Sequence, residues 1–589
     1  MFVRGFNSRQ VPLFIDGIPV YVPYDGNIDL ARFTSFDIAE VSVTKGFTSV
    51  LYGANSLGGS INVVSRRPQA SFEGEAGGGV SFDADGDRMS HRFYFNAGTN
   101  QDLWYAQIGG SLLERDHFLL PDGFAPTPTE DGARRENAAA DDRKISIKLG
   151  LTPNATDELA IAYYNQQGEK ETPPYAGTVP GERARFWRWP EYDKESLYLI
   201  GRKSFGEDWY VRLRAYYDKF DNTLRSFDDD AYTTQLRPFA FNSVYDDYSW
   251  GTSVELGTSL FTRHDLRAAF HYKEDVHRET DDDDAPEERF EDRTMSLGVE
   301  DRVTFGDAFT FIAGMSYDSL KGRQADNRVG DTITQFDLAS ESAFNIQGGV
   351  LYDLSEGSTA RISVARRTRF PTIKDRYSFR FGFAVPNADL APESAVNFEL
   401  GIDSVRDIAS LGARVTWGAA LFYSEITDAI ENVTVDSPLC SPSPCSQLQN
   451  IGEQTNRGFE ALVTVDFGAR WEWHVNYTYL DRKNDALADL PPLDIPEHSM
   501  FGYLKFSPNE AIDLVVNGEY GSERFAIART GGVREAEGFY RADIKGIWRP
   551  TPRTQLEAGV RNVSDRLYAY EEGFPEPGRN YFLTARFTY

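Results

Sequence analysis

The chain has 589 residues, carries a net charge of −29 and is 14% aromatic, with 30 Tyr and 41 Phe but only 5 Met and 2 Cys. Phosphate binding needs clustered Lys and Arg, so this acidic balance argues against a nucleic-acid partner. No run of about 18 apolar residues free of charge occurs, which excludes a transmembrane helix but not a transmembrane barrel, whose strands alternate lipid-facing and lumen-facing residues.

Residues 1–68 come first and do not alternate over membrane-length spans. They hold FVRGF at 2–6, VPLFIDGIPV at 11–20 and VTKGFTSVLYGANSLGGSINVVSRRP at 43–68, each a short apolar stretch with a glycine turn. Gly53, Gly58 and Gly59 permit close packing and positive φ. A phosphate-binding loop is excluded because no Lys-Ser or Lys-Thr pair follows the glycines. Residues 1–30 show neither the basic nor the apolar region of an export signal.

From residue 69 onward period-2 alternation dominates, the mark of a strand with two different faces. In 471–479, Trp471, Trp473, Val475, Tyr477 and Tyr479 oppose Glu472, His474, Asn476 and Thr478. The segments 411–424 and 581–589 alternate in the same way. Marking every such segment predicts about 22 strands. Short turns fall at 151–158, 204–208, 304–309, 354–359, 466–470 and 507–511. Long polar connections fall near 115–141, 168–193, 222–246, 278–291, 320–342, 369–393, 425–454 and 482–497. Short turns at one end and long loops at the other are the pattern of an up-and-down transmembrane barrel. A propeller would instead show a repeat of about 40 to 50 residues, and none is found. The expected fold is all-β: an antiparallel transmembrane β-barrel of about 22 strands, whose wide lumen must be either open or plugged.

Cys440 and Cys445 lie in SPLCSPSPCSQ with no further metal ligand nearby. They form a small surface disulfide in an oxidising compartment or stay as free thiols. The acidic runs DADGD at 83–87 and DDDDAPEE at 281–288 do not complete a calcium loop, so solvated charge is expected there rather than Ca²⁺. No catalytic constellation is present: there is neither HExxH nor GxSxG, and no metal site is expected.

The runs VRGF, FIDGIPV and IAEVSVTKGFTSVLYGANSLGGSINVVSRRP resemble the second half of the plug domain of TonB-dependent outer-membrane receptors. The likeness continues at PNADLAPESAVNFELG (386–401), NRGFE (456–460) and GVRNVSDRLY (559–568), through to the terminal aromatic. It implies residues 1–68 as a partial plug, with Gly5, Asp16, Gly17, Gly46, Gly53, Gly58 and Gly59 as its motif, and 69–589 as the barrel. It further implies the outer membrane of a Gram-negative bacterium, a monomer in outer-membrane lipid, no enzyme activity, no cofactor, and the energy-transducing protein TonB as partner. The family normally begins with a signal peptide, a TonB-contact segment and the first half of the plug, so Met1 reads as a truncated start.

Strand parity turns Glu399 inward between Phe398 and Leu400, and Glu460 inward between Phe459 and Ala461. The resemblance supplies plug cations at Arg4 and at Lys45, where similar receptors often carry Arg. The expectation is a lock of Arg4 and Lys45 on Glu399 and Glu460, weakened at Lys45 by loss of the bidentate fork. The competing expectation is a set of ordinary hydrated lumen charges.

Members of the family import ferric siderophores most often, and also haem, cobalamin and oligosaccharides. Residues 367–390 resemble both flanks of a haem-branch motif but hold no His between them, which argues against haem. A siderophore wants cations and aromatic faces around an anionic or aromatic chelate. The loop 179–192 offers Arg183, Arg185, Phe186, Trp187, Arg188 and Trp189, and Arg376 and Arg380 add further charge. The competing reading is a solvated loop with its aromatics at the membrane belt. The expected function is TonB-dependent import of a ferric siderophore or similar iron chelate. Uptake of cobalamin or an oligosaccharide, or passive conduction, stands as the alternative.

Overall fold

The computed structural model describes residues 2–589 apart from 238, 283–284, 380–383, 440–444, 485–490, 492 and 529–531. Twenty-two strands close antiparallel into one barrel, and the last, Asn580–Thr588, pairs back onto the first, Glu73–Phe82. Closure leaves no free sheet edge, which is what allows strands to stand in hydrocarbon. The alternation becomes two faces. Leu297, Met315, Tyr317 and Leu421 point out and are each more than half exposed, while Thr294, Ser296, Ser316 and Ser424 are buried against the contents of the lumen.

Several strands run further than the alternation suggests. Residues 168–193, expected as a loop, hold the end of Glu158–Thr172 and the start of Phe186–Phe205. Residues 425–454, expected likewise, are mostly the ends of Ala413–Val435 and Cys445–Phe467. Above the apolar belt both faces of the sheet are polar, so the two-sided pattern fades while backbone pairing continues. Cys445 is disulfide-bonded; Cys440 lies outside the described residues.

Residues 2–65 sit in the lumen. Their sheet orders Ile18–Pro19, Leu13–Ile15, Gly59–Ser65 and Ile38–Lys45, with Leu13–Ile15 parallel to Gly59–Ser65. Asp16 and Gly17 make a two-residue hairpin turn with φ of 51° and 79°, the positive pair that a type I′ turn demands. The inner core of Phe6, Leu13, Ile18, Leu57 and Ile61 is completed by Ala162, Tyr198, Ala395 and Ile426 of the wall. This small domain therefore cannot bury its apolar face without the barrel.

Two motif glycines are required for different reasons. Gly59 has a φ of 146° and lies so close to Ile38–Lys45 that a Cβ would sit 2.2 Å from the Thr44 carbonyl oxygen. Gly58 does not have the positive φ expected of it; its constraint is the Phe6 ring, 2.1 Å from where a Cβ would stand.

Candidate functional site

Residues Phe2–Val3 and Phe6–Asn7 form a small hairpin whose tip is Arg4–Gly5. Both tip residues have positive φ, which aims the Arg4 side chain at the wall. Arg4 Nη1 donates to Glu399 Oε2 at 2.5 Å and Nη2 to Glu460 Oε2 at 2.9 Å. Lys45 Nζ lies 3.0 Å from Glu460 Oε1. The structure thus brings together all four residues named from the sequence. Two further residues join them: Arg361 Nε donates to Glu399 Oε1 at 2.5 Å, and the Arg4 guanidinium lies 4.7 Å over the Phe422 ring. Arg361 escaped the sequence reading because its meeting with Glu399 depends on register, Ser363 facing Glu399 across the ladder.

Other ion pairs ring the inner domain. Asp16 takes Lys148 and the Ser65 hydroxyl, Arg32 meets Asp142 at 3.1 Å, and Lys144 meets Asp37 at 2.8 Å. Towards the long loops, Tyr24 stacks on His277 and packs with Tyr192, Phe290 and Tyr377.

The short helix Ile373–Tyr377 lies over this apex and is held by a capping box between Thr372 and Asp375. Asp375 meets Arg369 at 2.9 Å and Arg9 at 3.4 Å. Burial pushes its carboxyl up, but Arg369, Arg9 and the Thr372 amide more than offset this and hold it well below the usual carboxylate range. A depressed carboxylate contributes stability that is complete above its unfolded pKa of about 3.9 and is lost as pH falls through the folded value. Hydrogen exchange across 370–379 is therefore expected to be unaffected by this group from about pH 5 to 8. Asp375→Asn should accelerate it throughout that window, and equal protection in the variant at neutral pH would contradict this account.

The proposed ligand residues separate into three groups. Phe186, Trp187, Arg188 and Trp189, expected on a loop, belong to the strand Phe186–Phe205, whose pairing with Trp209–Phe227 reaches to its first residue. Arg183 and Arg185 precede it and are exposed. The Arg185 guanidinium stacks 4.7 Å over Trp187, Arg188 lies 4.3 Å over Tyr232 and 3.0 Å from Glu171, and Trp187 and Trp189 meet edge to face. Arg376 is a correction. It is fully buried and donates to Asp292, so its charge neutralises the wall beneath the helix instead of reaching a ligand. Arg380 lies outside the described residues.

The acidic runs are occupied by protein partners. Asp83 is buried and accepts the amides of Asp85 and Asp87 and faces His117 Nε2 at 3.0 Å. Asp281 and Glu288 share Arg328.

Residues 131–563 match the family model of the TonB-dependent receptor-like β-barrel, and residues 1–60 match that of the TonB-dependent receptor plug domain. The chain belongs to the TonB-dependent receptor family. It is 21% identical to the iron-regulated outer membrane virulence protein of Vibrio cholerae serotype O1, across 93% of this chain and 79% of that one. It is 22% identical to the metal-pseudopaline receptor CntO of Pseudomonas aeruginosa, across 94% and 80%. Among solved structures, the copper transporter OprC superposes with a TM-score of 0.83 at 17% identity, covering 100% of this chain and 94% of that one. Such receptors lie in the outer membrane of Gram-negative bacteria and act as transporters, not enzymes. The long loops of this receptor thus face outside and its short turns the periplasm.

Proposed function

We propose that the receptor imports a ferric siderophore or similar iron chelate, driven by TonB. In this reading residues 1–68 are the plug and 69–589 the barrel, acting as a monomer in outer-membrane lipid. The observation that carries the ligand class is a strip of cations stacked on aromatic faces that ends on the plug. Beyond Arg185 and Arg188, Lys170 Nζ lies 5.0 Å over Trp189 and 4.7 Å over Tyr192, and donates to Asp29 of the plug at 2.6 Å. An anionic, aromatic chelate is held by such a surface through charge and ring faces together. Among the described residues, the grouping of acids, His and Cys close enough to share an ion is Glu130, Asp131 and Glu136, all carboxylate. Glu130 is buried and already paired with Arg135 at 2.6 Å.

In the same reading Arg4 and Lys45 lock the plug to Glu399 and Glu460 until TonB pulls on it. Tryptophan fluorescence of the purified receptor, titrated with ferric siderophores, cobalamin and oligosaccharides, tests the ligand class. Saturable quenching by one ferric chelate and not by its iron-free form is expected. Trp189→Ala should weaken that binding by about tenfold, the loss of one cation-aromatic face. A response to cobalamin or a glycan alone would redirect the assignment to that ligand.

A passive channel is the second reading, and one observation favours it. Cavities of about 810 and 720 Å³ share Arg4, Lys45, Glu460 and Thr478 in their linings. A steady conductance of the wild type in planar bilayers would support conduction, and silence would support the plugged receptor.

A further inference from the structure

The outer wall carries a feature that import does not explain. Outward side chains climb Phe309–Val329 through Met315, Tyr317 and Ser319 to Lys321 and Arg323. About ten residues of tilted strand cover the apolar belt of roughly 25 Å, so from Phe309 upward Lys321 is the first charged outward side chain above it, on the external side. On the neighbouring strand Glu288–Phe305, Leu297 and Met295 are followed by Arg293. The register sets Arg293 directly opposite Lys321, and Arg323 stands at the bulge beside them.

Like charges opposed across a ladder repel. Cations on the neighbouring strands have acids: Arg278 has Asp246, Arg289 has Glu291, and Arg328 has Asp281 and Glu288. Glu274, the other cross-strand neighbour of Arg293, accepts from the Tyr272 hydroxyl and the Trp250 indole and makes no direct ion pair with Arg293. Arg293 itself bonds to the Tyr272 hydroxyl. In a chain of net charge −29, Arg293, Lys321 and Arg323 make no ion pair among the described residues. Lys321 and Arg323 are exposed.

We propose that Arg293, Lys321 and Arg323 bind the phosphate of an outer-leaflet lipid, the phosphorylated headgroup of lipopolysaccharide. The level is that of a headgroup, with Met315, Tyr317 and Leu297 below it to meet acyl chains. Two guanidinium forks and one ammonium suit a phosphate dianion, and the anion relieves the repulsion between Arg293 and Lys321.

The test is native mass spectrometry of the full chain, extracted from outer membranes in mild detergent, with retained lipid A counted per protein. Each charge removed from the set by substitution to Gln is expected to lower retention about fivefold, and the triple variant Arg293→Gln, Lys321→Gln, Arg323→Gln should keep almost none. Arg278→Gln with Arg289→Gln, which removes ion-paired cations, should change it little. Heat-modifiable migration on gels reports folding; if the triple variant does not fold, Lys321→Gln alone decides the matter. Wild-type protein stripped of lipid should rebind diphosphoryl lipid A and not its dephosphorylated form. Equal retention by folded variant and wild type would overturn the site. So would equal binding of dephosphorylated lipid, and competition by inorganic phosphate as effective as by lipid A would assign a free anion instead.

Discussion

Arg4→Glu is expected to free the plug from the wall. The substitution deletes the guanidinium that both Glu399 and Glu460 meet and sets a third carboxylate against them. The Arg4 side chain is 4% exposed and that of Glu399 10%, so solvent does little to screen the change. Removing one partner of a buried pair costs about 3 to 5 kcal/mol, and the added repulsion acts in the same direction. Arg361 stays on Glu399 and Lys45 on Glu460, so Arg4→Ala should be the milder variant. In planar bilayers Arg4→Glu should conduct far more than the wild type, and its plug should become open to trypsin while the barrel keeps its heat-modifiable fold. Unchanged conductance and unchanged protease resistance would remove the lock from the account.

Gly59→Ala should loosen the same contact without touching a charge. Its Cβ would press on a backbone oxygen of Ile38–Lys45, at a φ that L side chains rarely adopt. Overpacking costs about 1 to 3 kcal/mol, and a backbone held in a sparse region about 1 to 3 more. Gly59 is registered opposite Lys45. Pushing the two strands apart therefore draws the Lys45 ammonium away from Glu460. Hydrogen exchange over 38–65 should rise strongly and conductance with it. Gly86→Ala is the control, since it shares a positive φ but has nothing within 4 Å of the new Cβ. If the two variants behave alike, backbone strain and not packing is the cause.

Much of the wall was legible because lipid and water face opposite sides of each strand. On Glu393–Ile408 the alternation alone turned Phe398 and Leu400 outward, at 48% and 53% exposure, and left Glu399 facing in. The pattern failed where its cause stops. Trp187 and Trp189 lie on a paired strand that no longer has a lipid face, so their residues read as a loop. Arg376 read as an exposed loop cation because nothing local signals that 370–379 folds down onto the plug beside Asp292.

By itself, the sequence determined the barrel, its strand number and the inward aim of Glu399 and Glu460. Each of these follows from a period-2 pattern or a turn residue, properties carried within a few neighbouring positions. Beyond the meeting of Arg4 and Lys45 with Glu399 and Glu460, which cation meets which carboxylate was decided only by the tertiary structure. Arg361 beside Glu399, Lys170 beside Asp29, and the unpaired stack of Arg293 and Lys321 all depend on register between strands and on how the plug is rotated in the lumen. Those are set when the sheet closes on itself around a packed interior, and no short window of residues carries them.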